Sequence, residues 1–159
     1  MLYPFRSIVS PLQFDEHSIA ALELAKDVAA RNEATIYLLH VVPTLPAIGE
    51  KAISSHVGVE EDKARKMLEE IARKHLQGVK HEVVIRGAFL SEVAQAVLEV
   101  AKEVKADLIV MATHGRTGLP HFFMGSVTEG VMRGAPCPVL TVKPEYLKQK
   151  LAGSQSAAS

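Results

Sequence analysis

The sequence predicts an α/β fold: one domain with a parallel sheet covered by helices on both faces. Three observations carry this. Short β-type runs alternate with stretches of helical period from Ile8 to Val142. No shift in composition marks a second domain along that order. The 159 residues suffice for one core that needs no disulfide or metal to hold it. We expect the domain to occupy residues 1–146 and a small, polar, flexible tail to occupy 147–159.

Ile8-Val9-Ser10 is β-type and ends at Pro11. From Glu16 to Arg31, Ala21, Leu24, Ala25 and Val28 recur at helical spacing, with Asp15 placed as N-cap. Ala34 to Val42 is apolar, short and stopped by Pro43, which predicts a buried strand. Pro43 to Val57 has no period and predicts a long functional or mobile connection. Glu60 to His75 is helical, with an apolar stripe of Ala64, Met67, Leu68 and Ile71. Its acid-before-base pairs Glu61/Arg65, Asp62/Lys66, Glu69/Arg73 and Glu70/Lys74 predict a solvated face. Val79 to Arg86 predicts a third strand, and Leu90 to Val104 a third helix in which Val93, Ala96, Val97, Val100, Ala101 and Val104 keep the helical spacing. Asp107 to Met111 is a fourth strand, Ser126 to Met132 a short helix and Pro138 to Val142 the last strand.

Composition narrows the function. Hydrophobic residues at 48% and charged residues at 23% are ordinary for a globular chain and argue against disorder. Eighteen basic residues balance eighteen acidic ones, which gives no electrostatic case for nucleic acid or an anionic membrane. No apolar run approaches a membrane span, and Met1 to Arg6 lacks the layout of a signal peptide. One cysteine excludes an internal disulfide and fits a reducing compartment, so a cytoplasmic protein is expected.

Right-handed crossovers put helices on both faces of a parallel sheet only if the winding reverses once. At that reversal the loops leaving two neighbouring strands splay apart, and ligands bind beyond the strand ends. The richest such loop follows the fourth strand, from Ala112 through Gly115, Arg116 and Gly118 to Gly125-Ser126. Its glycines allow close backbone approach. Ser126-Val127-Thr128-Glu129 matches a capping box, with Ser126 as N-cap. The amides at that helix start suit a phosphate. There is no G-x-x-x-x-G-K-[ST], and no G-x-G-x-x-G follows the first strand.

The string DLIVMATHGRTGLPHFFMGSVTEGVMRGAPCPVLTVKP resembles the C-terminal half of a universal stress protein. Pro11, Phe14, Glu16-His17-Ser18 and Leu39-His40-Val41-Val42 resemble that family's N-terminal half, so the likeness covers about residues 4–144. The resemblance implies a five-stranded sheet in the order 3-2-1-4-5, of the adenine nucleotide alpha hydrolase-like, Rossmann-like kind, usually dimeric. It also implies a site. The family's nucleotide-binding branch carries G-x-x-G, nine residues, then G-[ST]; here Gly115 is the second glycine and Gly125-Ser126 closes the motif, while Ala112 replaces the first glycine. Gln13 stands where ATP-binding members carry an aspartate. By resemblance, adenine would lie near Pro11 and Val41 and ribose near Gln13 and Ala112. The phosphates would meet Gly115, Arg116, Gly125, Ser126, Val127 and Thr128, and Thr113 and His114 complete the candidate binding residues beside them.

Function follows as an expectation: a stress-response regulator binding ATP or another adenine nucleotide, with Mg²⁺ held by the phosphates. The alternative is a nucleotide-free dimeric interaction module of the same fold; a flavodoxin-like carrier ranks third. No nucleophile has a dedicated base and no carboxylates are paired, so at most slow, incidental ATP hydrolysis is expected. None of the seven histidines has the spacing of a zinc site. His40, inside an apolar strand, reads as a satisfied, partly buried side chain, His114 as a ligand neighbour, and Cys137 as packed. Phe122, Phe123 and Met124 read as an anchor for the following helix. The family's strand order would put the last strand at a sheet edge, so a homodimer pairing residues 138–143 is expected.

Overall fold

A computed structural model describes residues 4–44, 50–113 and 125–143, with single positions at 145, 149 and 153. Five parallel strands form one sheet: β1 (Ser7–Pro11), β2 (Thr35–Pro43), β3 (His81–Ala88), β4 (Leu108–Ala112) and β5 (Val139–Val142). Their order is β3-β2-β1-β4-β5, so the winding reverses between β1 and β4 as expected. The helices are α1 (Glu16–Asn32), α2 (Glu50–His75), α3 (Val93–Glu103) and α4 (Ser126–Gly134).

Because side chains alternate along a strand, each central strand feeds two cores. Ile8, Leu38, Leu108 and Val110 point to the α1/α2 face, against Leu22, Ala25 and Leu68. Val9, Leu39, Ile109 and Met111 point to the α3/α4 face, against Val97, Val100, Ala101 and Val131. Strands buried on both sides explain why these runs are apolar throughout rather than alternating.

The pairing is uneven. β1 matches β2 over five residues, Ser7↔Thr35 to Pro11↔Leu39. It matches β4 over only two, Ile8↔Leu108 and Val9↔Ile109. Below that seam, Asp107 Oδ2 accepts from the amides of Arg6 (2.8 Å) and Ser7 (3.0 Å). Above it the strands part.

Several expectations are corrected. Residues 50–57, read as part of a loop, are the first turns of the 26-residue α2. No proline interrupts residues 50–75, and adding residues to a formed helix costs far less than starting one. Residues 45–49 of that stretch lie outside the described residues. Met67 is 45% exposed; the buried line of α2 is Ala64, Leu68 and Ala72, four apart. On α1 the buried face is Ala21, Leu22, Ala25 and Ala29, with Leu24 and Val28 at its margin. None of the four acid–base pairs on α2 closes; among the described residues Lys63 pairs instead with Glu60 at 2.9 Å, and His75 with Glu23 of α1. Such exposed pairs gain too little to hold long side chains in place. Leu90–Glu92 is a separate 3₁₀ turn before α3.

Candidate functional site

A cavity of about 340 Å³ opens where β1 and β4 separate. Its floor is Pro11, Leu12, Leu39 and Met111, its α3 wall is Val93 and Val97, and its rim carries Gln13, His40, Val41 and Ala112. The first turn of α4, Gly125 to Thr128, closes one side, and Asp15 and Ser18 at the start of α1 close another. The size suits a small organic ligand.

Alternation along β2 decides what its end offers. Leu39 O accepts from Leu12 N at 2.8 Å, so odd-numbered residues of β2 turn their amide and carbonyl toward β1. Thr44 N, on the other phase, bonds Ala88 O of β3. Val41 therefore presents its N–H and C=O on the β1 side, past the last residue of β1. A flat heterocycle beside Pro11 would meet an apolar face and one backbone donor–acceptor edge.

The α1 side is bound up in its own hydrogen bonds. Asp15 Oδ1 accepts from Ser18 N at 2.8 Å, the N-cap read from the sequence. Ser18 Oγ donates to Asp15 O at 3.2 Å and accepts from Gln13 N at 3.1 Å. Asp15 Oδ2 is buried with no hydrogen-bond partner. Phe14 takes φ 58°, rare for a side-chain-bearing residue, and its ring lies 4.4 Å from that of His40. His40 Nδ1 meets Leu12 O at 2.7 Å. A carbonyl only accepts, so Nδ1 carries the proton. His40 is thus satisfied and part-buried as expected, and it also lines the cavity, which the sequence reading had not drawn from it.

The α4 side differs. The expected capping box is not formed: the N-cap is Gly125, with no side-chain cap, and Ser126 is the first helical residue. Glu129 turns away and pairs with Arg133 at 2.6 Å. What sets the helix start is the pin to β4. Gly125 N donates to Thr113 O at 3.1 Å and Thr128 Oγ1 donates to Ala112 O at 3.2 Å. The amides of Ser126, Val127 and Thr128 then precede any intrahelical acceptor, and these three residues line the cavity. Among the described residues these donors at the positive end of a helix have no acceptor, an arrangement suited to an anion.

Of the twelve residues singled out from the sequence, Pro11, Gln13, Val41, Ala112, Gly125, Ser126, Val127 and Thr128 come together around the cavity. Ala112 is not among the residues of positive φ, so alanine fits its backbone. Thr113 is buried behind the site, bonded to Val142 O, and is not part of its lining. His114, Gly115 and Arg116 lie outside the described residues, as do Phe122, Phe123 and Met124. Asp15, Ser18, Val93 and Val97 were missed. The first two read as a helix start and the last two as core, although the position of Asp15 and Ser18 just past β1 was signal enough.

Among the described residues, no group of three or more His, Cys, Asp or Glu is placed to hold a metal. No described helix is long and apolar enough to cross a membrane. Cys137 is half-buried, not fully packed, and burial, with the charge of Asp107, pushes its thiol above the ordinary range.

A model of the Universal stress protein family matches residues 4–143. The chain belongs to that family. It is 36% identical over 146 residues to universal stress protein MJ0531 of Methanocaldococcus jannaschii, covering 87% of this chain and 82% of that one. It is 34% identical over 146 residues to universal stress protein A homolog 2 of Coxiella burnetii, covering 87% and 95%. Among solved structures, MJ0577 superposes with a TM-score of 0.70 at 27% identity, over 88% of this chain and 96% of that one. Two further universal stress proteins share the fold at 20% identity. One, in complex with cAMP, has a TM-score of 0.64 over 88% and 98% of the two chains. The other, from Archaeoglobus fulgidus in complex with dAMP, has 0.62 over 89% and 100%.

Proposed function

We propose that this universal stress protein is a stress-response regulator that binds ATP, or another adenine nucleotide, in the crevice between β1 and β4. One observation carries the reading: the first turn of α4, without a side-chain cap, lines a cavity whose opposite end offers an apolar shelf and the backbone edge of Val41. Adenine lies on Pro11 beside Val41, the sugar crosses Gln13 and Ala112, and the phosphates meet Gly125 to Thr128. Gly115 and Arg116 are assigned to the phosphates by family resemblance alone, with His114 as their sequence neighbour. Solved relatives of the same fold hold cAMP and dAMP.

The energetics permit modest affinity. Micromolar binding needs about 8 kcal/mol. A helix N-terminus supplies roughly 1–2 and burial of a base about 4, leaving the rest to phosphate hydrogen bonds. Mg²⁺ arrives with the phosphates of ATP and is held mainly by them. The reading includes no dedicated catalysis, only slow, incidental hydrolysis.

The protein works in the cytoplasm as a homodimer, with residues 138–143 pairing across a two-fold axis. Leu140 is 38% exposed on that terminal strand, and an open strand edge invites a partner. Nucleotide extraction with mass spectrometry, then calorimetry, tests the ligand. An adenine nucleotide should co-purify or bind in the micromolar to millimolar range. No binding at millimolar concentration overturns the reading and leaves a nucleotide-free interaction module. Light scattering should return twice the chain mass; a monomer at micromolar concentration removes the dimer.

A further inference from the structure

We propose that the β3 edge of the sheet pairs with β3 of a second copy of this chain, antiparallel across a two-fold axis at Val84. The inference does not depend on the nucleotide reading.

β3 ends the sheet order, and its eight residues offer a longer edge than the four of β5. Ile36 N donates to Lys80 O and Thr44 N to Ala88 O, so even-numbered residues of β3 turn their backbone toward β2. The odd-numbered ones, Val83 and Ile85 among them, turn N–H and C=O outward. Among the described residues no strand pairs with them. The side chains agree. Leu38 and Leu39 of β2 are fully buried, whereas Val83 and Val84, opposite them in register, are half-buried.

The order of residues selects the partner. Laid antiparallel on itself about Val84, the strand HEVVIRGA puts Val83 opposite the partner's Ile85 and Glu82 opposite the partner's Arg86, each twice. Parity fits. The odd-numbered Val83 and Ile85 exchange backbone bonds, while Val84, Glu82 and Arg86 form the non-hydrogen-bonded pairs, whose side chains stand closest. Among the described residues the exposed Glu82 makes no ion pair. Arg86 Nη2 bonds Glu103 Oε2 at 2.5 Å, and its Nη1 donates to Ile85 O at 3.1 Å, on the outward edge. Pairing replaces that second bond with the partner's Val83 N–H and releases Nη1 for the partner's Glu82. Because this bond must first be given up, the junction forms at higher concentration than the proposed β5 pair. With both edges engaged, chains join into assemblies larger than two.

The helix over this edge repeats the complementarity. Arg65, Glu69 and Arg73 each follow a buried residue of α2, namely Ala64, Leu68 and Ala72. A right-handed β2–α2–β3 crossover turns those next positions toward the open edge, with Asp62 in the same column. His75, turned toward the other side, bonds Glu23 of α1. All four edge-side residues are exposed, and their charges alternate. A Cβ on Gly87 would lie 3.5 Å from Glu61 Oε1, which sets the level of helix against strand. At ~1.5 Å rise per residue against ~3.3 Å, Val84 is level with Leu68. To within about one residue, the same axis sets Asp62 against the partner's Arg73 and Arg65 against the partner's Glu69.

Disulfide trapping on the full chain tests this, in a Cys137→Ser background that leaves no native thiol. Val84→Cys, held in a glutathione redox buffer, should give a two-chain species whose peptide map joins position 84 to itself. Opposed residues of a non-hydrogen-bonded pair, with Cα atoms ~4.5 Å apart, suit that bond. Val83→Cys, which faces the partner's Ile85, should link far less. In sedimentation on the native-cysteine chain, Glu82→Arg should weaken association beyond the β5 pair about tenfold. An equal mixture of Glu82→Arg and Arg86→Glu should associate more tightly than either alone, since opposite charges meet again across the axis. Glu82 is exposed, so Glu82→Arg should keep the wild-type melting curve and carries the test should a cysteine variant not fold. Absence of the 84-to-84 link in a folded variant overturns the inference. So does equal linkage at position 83, or association that Glu82→Arg leaves unchanged. Those outcomes leave the nucleotide site and the β5 pair untouched.

Discussion

The first turns of α1 and α4 stand on either side of one crevice and treat their amides in opposite ways. Each follows a strand at the winding reversal, and each carries an acid and a hydroxyl three residues apart. At α1 the acid comes first: Asp15 caps Ser18 N, and Ser18 ties back to Gln13 and Asp15. At α4 the hydroxyl comes first, but the helix starts at Ser126 with Gly125 as its cap residue. That one-residue register removes Ser126 from the cap position and sends Glu129 to Arg133. A sequence pattern therefore caps a helix only if tertiary contacts place the helix start at the matching residue. The α1 end is closed by its own chain, whereas the α4 end is left with donors to spend on a ligand.

The largest expected effect attacks the open end. Gly125 has φ −56°, and among the described residues a Cβ there would meet Thr113 O, at an ordinary 3.5 Å. Gly125→Val should thus fold, with a melting temperature within about 2 °C of wild type. It should lose adenine-nucleotide binding at millimolar concentration, since a branched side chain blocks the approach to the amides. Retained binding would mean that the α4 turn is not the phosphate end.

Next comes what holds α4 in place without a cap. A Cβ on Gly130 would lie 2.8 Å from that of Ala94 in α3, so the two helices meet almost backbone to backbone. Gly130→Leu should cost about 1–3 kcal/mol by overpacking, read from urea unfolding. A smaller effect bears directly on the contrast. Asp15→Ala should cost about 1 kcal/mol as a lost cap. Ser126→Ala should stay within about 0.5 kcal/mol, because no cap bond is lost. Equal costs in chemical denaturation would erase the distinction between the two ends.

The smallest effect lies past the far end of α4. Cys137 has its thiol raised by burial and then by Asp107. The neutral form is favoured in the fold, so this contribution to stability is complete below the unfolded thiol's pKa. It disappears as pH rises through the folded value. Iodoacetamide should label native Cys137 with a pH midpoint above that of the urea-unfolded chain. A midpoint at or below it would contradict the assignment.

Much of this was legible beforehand. Apolar runs stopped by Pro11 and Pro43 gave two strands, and helical period gave the helices between them. The family likeness added the strand order, and the order located the crevice. Three things were hidden, for separate physical reasons. The start of α2 was masked by serines and a glycine that a long helix carries at small cost. The α4 cap depended on a pin to Thr113 and Ala112, distant in sequence terms from any local rule. Val93 and Val97 satisfy the core and the cavity wall at once, and periodicity cannot divide those roles.

The short β1–β4 seam has one more consequence. Asp107 clamps its lower end, and α1 braces it from behind through Leu22 and Ala25 against Ile8 and Leu108. Among the described residues, the gap above therefore sits on a base held by hydrogen bonds below and by packing behind. If the proposed ligand binds there, its most direct mark is on the rim of that gap, the surface its own atoms would help to form.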